Sequence, residues 1–91
     1  MGFARINVWI RDPKNCNVLK VDGKAWVRFC CSGETIDARL VDGHADITDL
    51  PPGCYVVYAE FQGGIAKETM VIVNCGDTAC VNLIKQNRNI S

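Results

Sequence analysis

Clusters of turn-forming residues interrupt this chain at intervals of about ten residues, and that punctuation excludes most folds before any other feature is considered. The breaks fall at Asp12-Pro13-Lys14-Asn15, Asp22-Gly23, Ser32-Gly33, Asp42-Gly43, Pro51-Pro52-Gly53, Gly63-Gly64 and Gly76-Asp77. Each residue type breaks the chain for its own reason. Gly adopts positive φ without penalty, Pro presets the first turn position, and Asp and Asn bond back to their own backbone. Between the breaks lie short runs rich in Val, Ile and aromatics, and no long window places apolar residues at a helical period. The spacing predicts seven strands, at about 3–11, 24–31, 34–41, 44–48, 54–62, 66–74 and 79–85. The fold expected is all-β, a seven-stranded two-sheet β-sandwich. Ninety-one residues suffice for one such domain, spanning 1–91, with 86–91 as a short polar tail.

Strict alternation then sorts side chains between core and solvent. Ala4, Ile6, Val8 and Ile10 are expected inside, with Ala25, Val27, Phe29 and Cys31 on the second strand. Ile36, Ala38 and Leu40 follow on the third, and Tyr55, Val57, Ala59 and Phe61 on the fifth. The outward set is unusual, because Trp9, Trp26, Cys30, Cys54, Val56 and Tyr58 are less polar than solvation requires. The sixth strand, Met70-Val71-Ile72-Val73, is apolar on both faces. One outer surface is therefore expected to collect aromatic and sulfur-bearing side chains. Trp9, Trp26, Val56, Tyr58, Met70 and Ile72 are its interface candidates.

The stretch from Gly43 to Ala59, GHADITDLPPGCYVVYA, resembles the carboxypeptidase regulatory-like domain, whose sandwich is prealbumin-like (transthyretin-like) and related in form to Ig-like sandwiches. Its pattern is a Gly-led apolar strand, then Leu-Pro-Pro-Gly-x-Tyr, then an alternating strand. The resemblance extends upstream through Asp22-Gly23-Lys24-Ala25-Trp26-Val27 and covers most of the chain. It implies a fold and is almost silent on function. Collagen-adhesin B-type repeats are similar in general pattern and carry a Lys–Asn isopeptide bond assisted by an acidic residue. In this chain Arg11 falls near the Lys position and Ala59 in the acidic one, beside Glu60, with Asn82 available. A guanidinium stays protonated and does not serve as the amine nucleophile, so no isopeptide bond is expected.

Cysteine is the cross-link that remains. Cys16, Cys30, Cys31, Cys54, Cys75 and Cys80 are all disulfide candidates, and six cysteines allow fifteen full pairings. Cys75 and Cys80 bracket a turn and are the nearest pair in sequence. They could form a local disulfide or remain buried or free thiols. Such cysteine density is characteristic of oxidising compartments. No leader is visible at Met1-Gly2-Phe3-Ala4-Arg5, however, so the expected location is extracellular or on a cell or spore surface, with the cytoplasm as the alternative.

Several functions lose their support at this level. Formal net charge is zero with no basic stripe, which argues against nucleic acid, and no run is long enough to insert in a membrane. Structural zinc favours Cys-x-x-Cys knuckles. This chain offers Cys-Cys, Cys-x-x-x-x-Cys and a lone His44, so no metal or other cofactor is expected. Asp42, Asp46 and Asp49 lack calcium-loop spacing and read better as turn caps. Catalysis is not expected, since one His and no nucleophile motif leave no Cys–His pair with a recognisable context. Trp9, Trp26 and Tyr58 could cover a sheet edge or the long loop over 12–23, stack on sugars, or form an interface. The leading expectation is a non-enzymatic structural or interaction module that self-associates in a surface or extracellular assembly, filament or coat, stabilised by cysteines. A carbohydrate- or protein-binding accessory domain is the second, and an intracellular thiol or zinc protein the third.

Overall fold

In Ala4–Arg11, apolar Ala4, Ile6, Val8 and Ile10 alternate with Arg5, Asn7, Trp9 and Arg11, and the apolar four are at most 1% exposed. That alternation makes this segment a strand with one face in the core. A computed structural model describes residues 3–86 and has seven strands by this rule. They are β1 (Ala4–Arg11), β2 (Gly23–Phe29), β3 (Thr35–Leu40), β4 (His44–Leu50), β5 (Gly53–Phe61), β6 (Gly64–Val73) and β7 (Thr78–Ile84). Isolated bridges lie outside them, joining Arg11 to Val18, Val41 to His44 and Ile65 to Gln86. The architecture is all-β, with a three-stranded sheet in the order β4-β1-β7 and a four-stranded sheet in the order β3-β2-β5-β6. Pairing is antiparallel throughout except between β1 and β7, which run parallel.

The core fills the space between the sheets. From the small sheet come Ile6, Val8, Ile10, Ala45, Ile47, Leu50, Val81 and Leu83. From the large one come Ala25, Val27, Leu40, Tyr55, Val57, Ala59, Phe61 and Val73. Each large aliphatic side chain buried this way contributes about 1.5–3 kcal/mol.

Two turns decide how the chain passes between sheets. Asp42 and Gly43 both have positive φ, 52° and 79°, the requirement of a type I′ turn. Val41 and His44 close it with paired backbone bonds of 2.9 and 3.0 Å, and the Asp22 carboxylate accepts a bond from the Asp42 N–H. Here the chain leaves the large sheet at β3 and enters the small one at β4. The return is at Pro51-Pro52-Gly53. There the Tyr55 hydroxyl donates to the Pro51 carbonyl at 2.5 Å while its ring is buried against Phe29. This is a tyrosine corner, a device that fixes the chain where it switches sheets.

Several expectations need correction. β2 ends at Phe29, so Cys31 lies in the 30–32 turn and is exposed rather than inside the core. Ile36 pairs with Val27 and shares its inward face, but β3 is a sheet edge and leaves Ile36 37% exposed. The turn that Cys75 and Cys80 flank is present, and it passes from β6 in the large sheet to β7 in the small one, so the two residues are not on neighbouring strands of one sheet. All six cysteines are free thiols in this structure. Of the tail expected at 86–91, Gln86 bonds to Ile65, and 87–91 lie outside the described residues.

Candidate functional site

The outward-facing side chains are not all on one surface. Trp9 lies on the small sheet, whereas Trp26, Val56, Tyr58, Met70 and Ile72 lie on the outer face of the large one. Trp9 therefore does not share a surface with the other five interface candidates. Its neighbours are polar. His44, opposite it on β4, places its ring 4.2 Å from the Trp9 ring at 32°. Asn82 is its partner on β7, and the same face carries an Arg5–Asp46 ion pair at 3.5 Å. Arg11 Nε donates to Asn82 Oδ1 at 3.0 Å, so the two positions singled out by the adhesin pattern meet through a hydrogen bond. His44 is thus the ring partner of Trp9. Among the described residues no three His, Cys, Asp or Glu side chains converge where they could hold a metal.

The outer face of the large sheet divides into two halves of different chemistry. At one end the directly opposed pair Trp26 and Tyr58 stacks at 5.3 Å and 14°. Lys24 Nζ lies 5.3 Å from the Trp26 centroid and Lys67 Nζ 5.9 Å from that of Tyr58. Cation–π contacts at exposed positions contribute about 0.5–1 kcal/mol each. Lys24 also pairs with Asp37 at 3.6 Å, an exposed bridge of little value to stability. These rings consequently have partners within the chain. Beside them lies a shallow depression of about 420 Å³, lined by Trp26, Tyr58, Glu60, Ile65 and Lys67.

The other end is apolar and sulfur-rich. Antiparallel pairing sets Trp26 opposite Tyr58 and Arg28 opposite Val56. The next outward step, just past the end of β2, sets Cys30 opposite Cys54. The Cys30 N–H donates to the Cys54 carbonyl at 2.9 Å, and the two Sγ atoms are 2.8 Å apart. Met70 Sδ lies 3.8 Å from Cys54 Sγ. The bond to Cys30, then partial burial, then the nearby charges of Cys30 and Cys31 raise the Cys54 pKa, so this thiol holds its proton above the usual range.

A β-bulge explains why Met70 stands out. Tyr55 pairs with Val71 but Val57 pairs with Glu68, so one residue of β5 faces two of β6. Met70 takes the bulge position with φ of 63°, a conformation uncommon for a non-glycine residue. It is 67% exposed, and Ile72 next to it on the same edge strand is 65% exposed. Sequence alternation placed Cys30, Cys54 and Val56 outward and left the sixth strand apolar on both faces, but it carried no signal for the bulge or for the pairing of Cys30 with Cys54. That pairing depends on β2 lying beside β5, two strands far apart in the chain.

Fold and site together define a small two-sheet β-sandwich domain with an apolar, thiol-bearing patch at one end of its larger sheet. No protein-family model matches the chain, and no curated protein is similar to it. A solved structure described as the Bacillus anthracis TIE protein is similar, with a TM-score of 0.68 and 20% identity over 94% of this chain. The similar region is 17% of that structure's length, so this chain corresponds to one segment of a much longer protein. Identity that low shows a shared fold alone.

Proposed function

We propose that this domain is a non-enzymatic interaction module of the carboxypeptidase regulatory-like, prealbumin-like type. In this reading it self-associates through the apolar end of its larger sheet, as a subunit of a surface or extracellular assembly. The carrying observation is the exposed pair Met70 and Ile72 on β6, continuous with Val56 and the Cys30–Cys54 pair on the same face. Large aliphatic side chains exposed side by side favour burial against a partner, whereas Trp26 and Tyr58 already have theirs. β6 is also a sheet edge, where a second chain can add. Its bulge and exposed Glu68 oppose continuous edge pairing, so the sheet face is the better contact.

Sedimentation velocity on the fully reduced protein over a range of concentrations tests this. A reversible dimer or higher oligomer that Ile72→Lys disrupts, with the melting temperature unchanged, is the expected result. A protein that stays monomeric at the highest accessible concentration sinks the proposal.

A second reading rests on the depression beside Trp26 and Tyr58, whose aromatic floor and Glu60 and Lys67 rim suit the apolar face and hydroxyls of a sugar. Glycan-array binding abolished by Trp26→Ala favours it; no binding to any glycan removes it.

A further inference from the structure

We propose that Cys30 and Cys54 form a reversible cross-strand disulfide, making this end of the larger sheet a thiol–disulfide exchange site. The inference rests on the register of β2 against β5 and stands whether or not the sheet face self-associates.

Three observations carry it. Cys30 continues the β2–β5 ladder by one step, so its side chain leaves the sheet on the same side as that of Cys54. A directly opposed, hydrogen-bonded antiparallel pair has its Cα atoms about 5.5 Å apart, within the range a disulfide spans without backbone movement. The sulfur atoms already sit 2.8 Å apart, closer than two unbonded sulfurs rest comfortably. The other cysteines lack such a partner. Cys75 lies on the connection between sheets and Cys80 on β7 of the small sheet, and Cys16 is exposed in the loop after β1. Cys31 follows Cys30 in the exposed 30–32 turn, one residue beyond the last pairing of this chain segment with β5.

The chemistry takes a small-molecule disulfide, such as oxidised glutathione, as the oxidant. Cys30 is the entry nucleophile, being the more exposed of the two, while Cys54 is partly buried and retains its proton. The Cys30 thiolate attacks one sulfur of the oxidant, breaking its S–S bond and releasing one thiolate. A mixed disulfide now occupies Cys30. Cys54 loses its proton to solvent and attacks the Cys30 sulfur, forming the cross-strand bond and expelling the second thiolate. In total the two cysteines lose two protons and two electrons, and the oxidant becomes two thiols. An external thiol reverses both steps.

The test is to treat the reduced full chain with oxidised glutathione, alkylate it, and map the products by mass spectrometry. The expected product is a monomer two hydrogens lighter, with four of its six thiols alkylated and a Cys30–Cys54 linked peptide. A thiol reductant restores all six. Cys31→Ser leaves that product intact, and Cys54→Ser abolishes it. Because the linked peptide is mapped in the unaltered protein, the test does not depend on either variant folding. Six alkylated thiols after oxidation, a linkage mapped to Cys30–Cys31 or Cys75–Cys80, or loss of the product in Cys31→Ser would each overturn the proposal.

Discussion

Tyr55→Phe removes one hydroxyl from the tyrosine corner and leaves everything else in place, which makes it a clean probe of how the two sheets are joined. The ring of Tyr55 is 1% exposed and packs against Phe29 at 5.2 Å, contacts that a Phe side chain repeats. What disappears is the bond from the hydroxyl to the Pro51 carbonyl. A neutral hydrogen bond contributes about 0.5–1.5 kcal/mol net, because the unfolded chain makes the same bonds to water. The bond is part-buried at an otherwise exposed Pro51, so its loss does not strand a fully buried acceptor. The expected loss is thus about 1 kcal/mol, or roughly 4–8 °C in melting temperature for a domain of this size. Tyr55→Ala also deletes the buried ring and is expected to cost about 3–5 kcal/mol, in line with other large-to-small aromatic changes.

Urea denaturation followed by the fluorescence of Trp9 and Trp26 reads both sheets at once, since each carries one indole. A Tyr55→Phe effect below about 0.3 kcal/mol would mean the corner bond contributes nothing. A loss above about 3 kcal/mol would mean the hydroxyl organises the whole turn, and the additive reasoning would fail. pH supplies a second check. Burial raises the Tyr55 pKa above its ordinary value, so its neutral form is favoured in the folded state. The corresponding stability is fully present below the unfolded pKa of about 10 and is lost as pH rises toward the higher folded value. Wild type should therefore lose stability above about pH 10 faster than Tyr55→Phe, and the two denaturation curves should converge there.

Gly43→Ala places a methyl group against the backbone carbonyl of Leu19 at a position whose φ is 79°. Strain and clash together should cost about 2 kcal/mol or more, measured as a drop in urea midpoint with an unchanged slope. Ile10→Ala, at a fully buried position in β1, is expected to cost about 2–5 kcal/mol by the same assay, through lost burial and the cavity left behind. Asn82→Ala breaks only the exposed bond from Arg11 and should change stability by less than about 0.5 kcal/mol.

The sequence carried the strands, the turns and most of the core, and the reason is local. Asp42-Gly43 and Pro51-Pro52-Gly53 force turns by their own stereochemistry, and Ala4 through Ile10 alternate without interruption. Alternation separates inside from outside but does not say which of two outsides a residue faces. Trp9 and Trp26 therefore looked equivalent until β1 proved to be the middle of the small sheet and β2 an inner strand of the large one. Strand ends were likewise beyond reach at Cys31, where extending the β2 pattern two residues past Phe29 put an exposed turn thiol into the core. The bulge at Met70 had no signal at all, since its usual marker is a glycine and this one uses an unbranched apolar residue.

The same non-local pairing that hid the site also accounts for its chemistry. β2 and β5 are separated along the chain by β3, by β4 in the opposite sheet, and by the tyrosine corner. A bond between Cys30 and Cys54 would close that whole excursion into one loop, linking the end of β2 to the start of β5. Loops of this length lose more unfolded-state freedom on cross-linking than a local Cys75–Cys80 bridge would, so oxidation here should stabilise the fold more than oxidation at the nearer pair. The corner and the thiol pair would then act on the same segment. Tyr55 anchors its return by a hydrogen bond, and the adjacent Cys54 would tie it covalently to β2. On this argument oxidation, at about 3 kcal/mol or more for a loop of this length, should more than offset the roughly 1 kcal/mol lost in Tyr55→Phe. Comparing the gain on oxidation in that variant with the gain in the wild type would show whether the two devices are coupled.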